Sequence, residues 1–286
     1  MKAFSLVEML VVISIISALL AIGVPALNLA RRQARGLIGM RNQREVATAL
    51  SLFAADNQDR YPDSVATLGF DDNFTWQDPT KMIGLRKRTP QVHRAMSAYL
   101  GSYIPDAKTV FCPSAPQEYK YLQEAWDAGD DWDNPDTSPR SDPLTGTYCF
   151  YWNYTGYLAE TRSVFRGPTG PASMGRYSQL LVTDYFGYDH WRSPKAFGSC
   201  EKLPGADIVP ETQLLSSYWS VAGDPNTAMP EVKLRAAYTD GHVATYSSSS
   251  ALEVTPMKVS FQPEGTPPYQ DGTGGGIYFI PRDAVE

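Results

Sequence analysis

From Leu6 to Leu27 the chain runs for 22 residues with one ionisable side chain, Glu8, and its apolar residues fall on every face of a helix rather than along one stripe. At about 1.5 Å per residue such a helix is long enough to cross the roughly 30 Å hydrocarbon layer of a bilayer. A secretory signal peptide has a shorter apolar region, of about 7 to 15 residues, behind a basic stretch and ahead of a small-residue cleavage site. Here the only basic residue ahead of the run is Lys2. Glu8 is the anomaly, because a carboxylate in lipid costs roughly 2.5 to 3.5 kcal/mol and needs a partner or a purpose. No cation in the neighbouring sequence can serve.

Lys2-Ala3 followed by Phe4-Ser5-Leu6-Val7-Glu8-Met9-Leu10-Val11-Val12-Ile13 resembles the processing site of type IV prepilins and type II secretion pseudopilins. The resemblance covers about 25 residues. It implies cleavage between Ala3 and Phe4 by a prepilin peptidase, N-methylation of Phe4, and Glu8 as the fifth mature residue. It also implies that the Glu8 carboxylate meets the terminal ammonium of a neighbouring subunit, which supplies the missing cation and sets register; opposite charges attract strongly in a low-dielectric bundle. Further partners implied are like subunits, the inner-membrane assembly machinery and the membrane itself. The body would be extracytoplasmic in the precursor and then periplasmic or on the cell surface in the filament. One residue departs from the pattern: the family usually has Gly before the cut, and this chain has Ala3.

Pro25 stands where the resemblance places a helix-weakening proline. Its missing N–H and its ring disturb the hydrogen-bond ladder, and Gly23 lies just ahead. The next stretch reads as helix again, with Leu27, Ile38, Val46, Leu50 and Phe53 at apolar positions, Arg31, Arg32, Arg35, Arg41 and Arg44 on a wetter face, and an end expected near Asn57, ahead of Tyr61-Pro62. The expected organisation is a leader at 1–3, a transmembrane and assembly helix at 4–27, an amphipathic continuation at 28–57 and a globular body at 58–286. Arg31, Arg32 and Arg35 oppose export under the positive-inside rule; the processing pattern is the more specific signal.

Residues 61–286 carry 18 Lys/Arg against 27 Asp/Glu, whereas residues 1–60 carry seven against four. An acidic body argues against nucleic acid as the main partner. Short apolar runs between Pro, Gly and aromatic residues indicate antiparallel strands joined by long loops. The fold class is therefore α+β, a long N-terminal helix packed on an antiparallel sheet body, as in pilins. Thr109 to Pro113 reads as a short strand, His93 to Tyr103 as a short helix, and Gln179 to Tyr185 as a strand. Tyr148, Phe150, Trp152 and Tyr154 are expected to share one strand face, as sheet packing or as a sugar-binding platform.

Leu234 to Thr239 and His242 to Ser247 flank Asp240-Gly241, a two-residue turn signal that pairs Tyr238 with Val243 and sets His242 opposite Thr239. The stretch Tyr238-Thr239-Asp240-Gly241-His242-Val243 resembles the DGH hairpin of large pilin-like proteins of planctomycete-type bacteria, as does Val110-Phe111-Cys112-Pro113-Ser114.

Chemistry-bearing residues are sparse. Cys112, Cys149 and Cys200 lack zinc-type spacing and allow one disulfide with a spare thiol, or three buried thiols. His93, His190 and His242 lack metal spacing or a nucleophile motif; Asp184, Asp189 and His190 could meet His242 only in space. No cofactor is implied except calcium, for which Asp130, Asp131, Asp133 and Asp136 are candidate oxygen ligands without EF-hand spacing. The chain reads as a structural subunit rather than an enzyme. The alternatives are a membrane-anchored module binding glycans or an exported substrate, and an anchored hydrolase using His190 or His242.

Overall fold

The computed structural model describes residues 6–71, 74–83, 95–116, 121–132, 144–188, 195–210, 217–222, 230–257 and 276–285. By backbone contacts the chain divides into two units, Met1–Ile38 and Gly39–Glu286. One element runs through both: helix α1, Leu6–Asp56. The architecture is α+β, a long N-terminal helix with antiparallel sheets and long loops.

Helix α1 passes through Pro25 without interruption. It stops where the chain enters the left-handed region, which closes a helix by turning its last carbonyls toward the following amides. Gln58 and Asp59 both have φ of 57°, the amides of Asn57 and Asp59 donate to Ala54 O, and Asn57 Nδ2 donates to Phe53 O at 2.8 Å. In the stretch after Gly39 one face is buried: Gln43, Val46, Ala47, Leu50 and Ala54 recur at spacings of three and four. Alanines on this face let the backbone approach the sheet closely, and Val46 and Leu50, both fully buried, contribute about 2 kcal/mol each. Ahead of this stretch Leu27 and Ile38 are half-exposed.

A four-stranded antiparallel sheet has the order Val243–Ser247, Lys233–Tyr238, Leu180–Asp184, Tyr148–Phe150. Both of its faces are covered. Tyr148, Phe150, Leu181, Val182 and Ala237 pack with Val46 and Leu50 of α1, with the short helices α2 (Met96–Leu100) and α3 (Leu122–Ala128), and with Cys112. Cys149, Leu180, Ala236 and Tyr238 pack on the opposite face against Leu158, Phe165, Phe197, Leu252, Val254, Tyr278 and Ile280. Burial on both faces explains why Leu180, Leu181 and Val182 form a continuous apolar run instead of alternating. The second layer is an eight-stranded antiparallel sheet with Ser163–Arg166 at one edge and Asp207–Pro210 at the other. Tyr185 turns the chain from the strand Leu180–Asp184 of the small sheet into Phe186–Tyr188 of the large one.

Three local expectations are corrected. Ala107–Val110 is a 3-10 helix, not a strand, because Asp106 caps it by accepting from Lys108 N at 2.9 Å. The strand at Tyr148 ends at Phe150, and of the four aromatic residues expected on one face Tyr148, Phe150 and Trp152 share the helix-side core, while Tyr154 crosses to the core between the sheets with Tyr151. The hairpin register differs by one residue, with Ala237 opposite Val243. Its loop has three residues, closed by Gly241 N→Tyr238 O at 2.9 Å and Tyr238 N→His242 O at 3.1 Å, with Gly241 at φ of 81°. A tight turn followed by a left-handed glycine is the common three-residue solution, and it places His242 against Tyr238.

Candidate functional site

Every residue of α1 from Leu6 to Arg35 is exposed. Apolar side chains are exposed all round, Leu6 at 82% and Ile22 at 77% being the extremes. Among the described residues α1 is the one helix long and apolar enough to cross a membrane. Glu8 occupies its first turn, where the unsatisfied amides of a helix favour a negative charge. Ala3 and Phe4 lie outside the described residues.

Where α1 meets the small sheet there is a buried polar centre. Gln43 Nε2 donates to Asp184 Oδ1 at 2.8 Å, while Arg235 donates to Asp184 Oδ2 from its backbone N and from Nη1, both at 3.1 Å. Asp184 has no solvent exposure and the Arg235 side chain 13%. Loss of water pushes Asp184 up to about 7, outweighing three donors, one of them the Arg235 guanidinium, that favour the carboxylate. Gln43 Oε1 is buried with no hydrogen-bond partner among the described residues. A half-turn of that amide puts an acceptor where Nε2 stands, which suits a neutral carboxyl at Asp184.

Beside this centre a disulfide joins Cys112 to Cys200, their Cα atoms 5.6 Å apart. Thr147 braces it, accepting at Oγ1 from Cys112 N at 2.6 Å and at its carbonyl from Ser199 Oγ at 2.6 Å. Cys112, Cys200 and Asp184 come close enough together to suggest a metal cluster. The disulfide uses both sulfurs, and the carboxylate already holds Gln43 and Arg235. Cys149 is the remaining thiol, buried in the core, where burial pushes it far up and leaves it unreactive.

The other candidates separate. His242 Nδ1 lies 2.6 Å from Asp240 Oδ1, and its ring stacks on Tyr238 at 4.3 Å between centroids. Arg41 and Arg44 of α1 share an open notch of about 500 Å³ with this pair, and among the described residues no hydroxyl or thiol nucleophile lines it. Asp184 engages Gln43 and Arg235, not His242, and Asp189, His190 and His93 lie outside the described residues. Asp130 Oδ1 accepts from Ala95 N at 2.7 Å, just ahead of α2; Asp131 is described, and Asp133 and Asp136 are not. Tyr148, Phe150, Trp152 and Tyr154 are all buried, so they present no face to a sugar.

Sequence reasoning missed the Gln43–Asp184–Arg235 centre. The available signal was a carboxylate at the end of an apolar strand and an amide on the buried face of the helix. Comparison of the chain with protein-family models, with curated proteins and with solved structures finds no match.

Proposed function

We propose that the chain is a structural subunit of a filament of the type IV pilus or type II secretion pseudopilus kind, held in the membrane and assembled through α1. The observation that supports this most is a single continuous helix that serves two solvents. Its Leu6–Arg35 stretch exposes apolar side chains on all sides, and its later turns form part of the core of a folded body. An exposed apolar helix is unstable in water and must be covered by lipid, by copies of itself, or by each in turn. Processing between Ala3 and Phe4 by a prepilin peptidase and methylation of Phe4 follow from the sequence resemblance. Glu8 then pairs with the Phe4 ammonium of a neighbour, and Pro25 weakens the helix where it leaves the apolar bundle. On this reading the body lies outside the cytoplasm, where a disulfide such as Cys112–Cys200 persists.

The test is Glu8→Ala in cells that assemble the filament. The variant should fractionate with membranes like the parent and form no filaments. Filaments of normal number and length would refute the assembly role, and a mature N-terminus other than Phe4, read by mass spectrometry, would refute the processing.

A further inference from the structure

Arg31, Arg32 and Arg35 follow the apolar run at once: Leu29, 59% exposed, is the last large apolar residue before them. At 3.6 residues per turn the three lie within an arc of about 100°, and along the axis they span about 6 Å. All three are exposed, and none has a hydrogen-bond or ion-pair partner among the described residues. The sequence offers no counter-charge either, since no carboxylate occurs between Glu8 and Glu45. Arg41 shows the contrast, paired to Glu45 at 2.8 Å. The axial distance is equally specific. Leu6 to Leu29 covers about 35 Å, close to the thickness of a hydrocarbon core, so the next turn falls in the headgroup layer.

We infer that Arg31, Arg32 and Arg35 form a one-sided collar that binds the phosphate oxygens of anionic lipid headgroups. This rests on the membrane-spanning reading of α1. A guanidinium meets a phosphate through parallel N–H···O bonds, and its apolar stem lies along the hydrocarbon boundary. Position favours lipid over the acidic body of a second copy: the triad begins within one turn of the apolar span, so phosphate depth is reached whichever leaflet the helix leaves. The collar would fix how deeply α1 sits and make membrane residence depend on anionic lipid.

The test uses the full chain in nanodiscs holding one copy each, in phosphatidylcholine with about one-tenth phosphatidylglycerol; lipid retained after detergent exchange should then be enriched in phosphatidylglycerol about five-fold over the bulk, the ratio one well-placed arginine supports. Replacing all three residues (R31Q/R32Q/R35Q) keeps helix propensity at exposed sites and should return the ratio to that of the bulk. Equal enrichment in the parent and the triple variant overturns the collar. So does enrichment found only in discs with two copies, which assigns the arginines to a second chain, and so does displacement by inorganic phosphate, which assigns them to a free anion. A parent chain that enters the discs without enrichment defeats the collar alone, whereas one that fails to enter defeats the membrane-spanning reading as well.

Discussion

Asp184 makes the stability of the body depend on pH in a direction opposite to that of most carboxylates. Its pKa in the folded chain is about 7, against an ordinary value of 3.8, because the group is fully buried. The folded state therefore holds this proton over a range in which the unfolded chain has released it. Stability is fully present below pH 4, falls as pH rises, and levels off above the folded pKa. Roughly three pH units at 1.36 kcal/mol each give about 4 kcal/mol, of which about 2 kcal/mol is lost between pH 5 and pH 7. The group has no exposed surface, so solvent screening takes little from this figure. Asp78 is largely shielded, its side chain 18% exposed, but with Lys81 and the Thr80 and Tyr278 hydroxyls facing it its carboxyl is held below the ordinary value, so its contribution is lost only at pH below about 4 and does not overlap. The assay is denaturant unfolding of the full chain in mild detergent at a series of pH values, followed by tryptophan fluorescence. Asp184→Asn should flatten the slope between pH 5 and pH 7, whatever it does to absolute stability. A parent protein whose stability is constant or rises over that range, or an Asp184→Asn variant with the parental slope, would refute the reasoning.

The remaining predictions concern covalent and steric constraints. Replacing Cys112 and Cys200 together by Ser should cost about 4 kcal/mol, because the bond joins residues 88 apart, and an unchanged unfolding midpoint would contradict this. Gly167→Ala places a Cβ 1.5 Å from Tyr151 O and should destabilise by about 4 kcal/mol or more. Gly241→Ala meets nothing within 4 Å but keeps a left-handed backbone, so it should cost only about 1 kcal/mol. Thermal melts that reverse the order of the two glycine variants would show that the close approach at Gly167 is relieved by movement of the backbone.

Residues whose environment is set by local pattern were legible in the sequence. The extent of α1, its exposed apolar stretch and its end beside Asn57 follow from apolar spacing and chain breakers. Leu180 to Asp184 reads as a strand because three branched apolar residues leave little choice. Register was less accessible: Asp240-Gly241 fits a two-residue turn as well as the three-residue turn observed, and only the backbone at Gly241 decides. Tyr148 to Tyr154 alternates like a strand, yet the chain turns between Tyr151 and Tyr154, and this sends Tyr154 alone of the expected face into the second core. The Asp184 centre depends on Gln43, Asp184 and Arg235, which are far apart in the chain and meet only through tertiary packing.

The Cys112–Cys200 bond also has a topological consequence. It closes a covalent ring containing the strands Tyr148–Phe150, Thr155–Leu158, Ser163–Arg166, Leu180–Asp184 and Phe186–Tyr188, which come from both sheets. A protease that cuts once between Pro113 and Ser199 opens the ring without releasing a piece. The nicked protein would travel as one particle on a non-reducing gel and as two fragments after reduction. Cleavage within that span would therefore separate nothing until a reductant arrived.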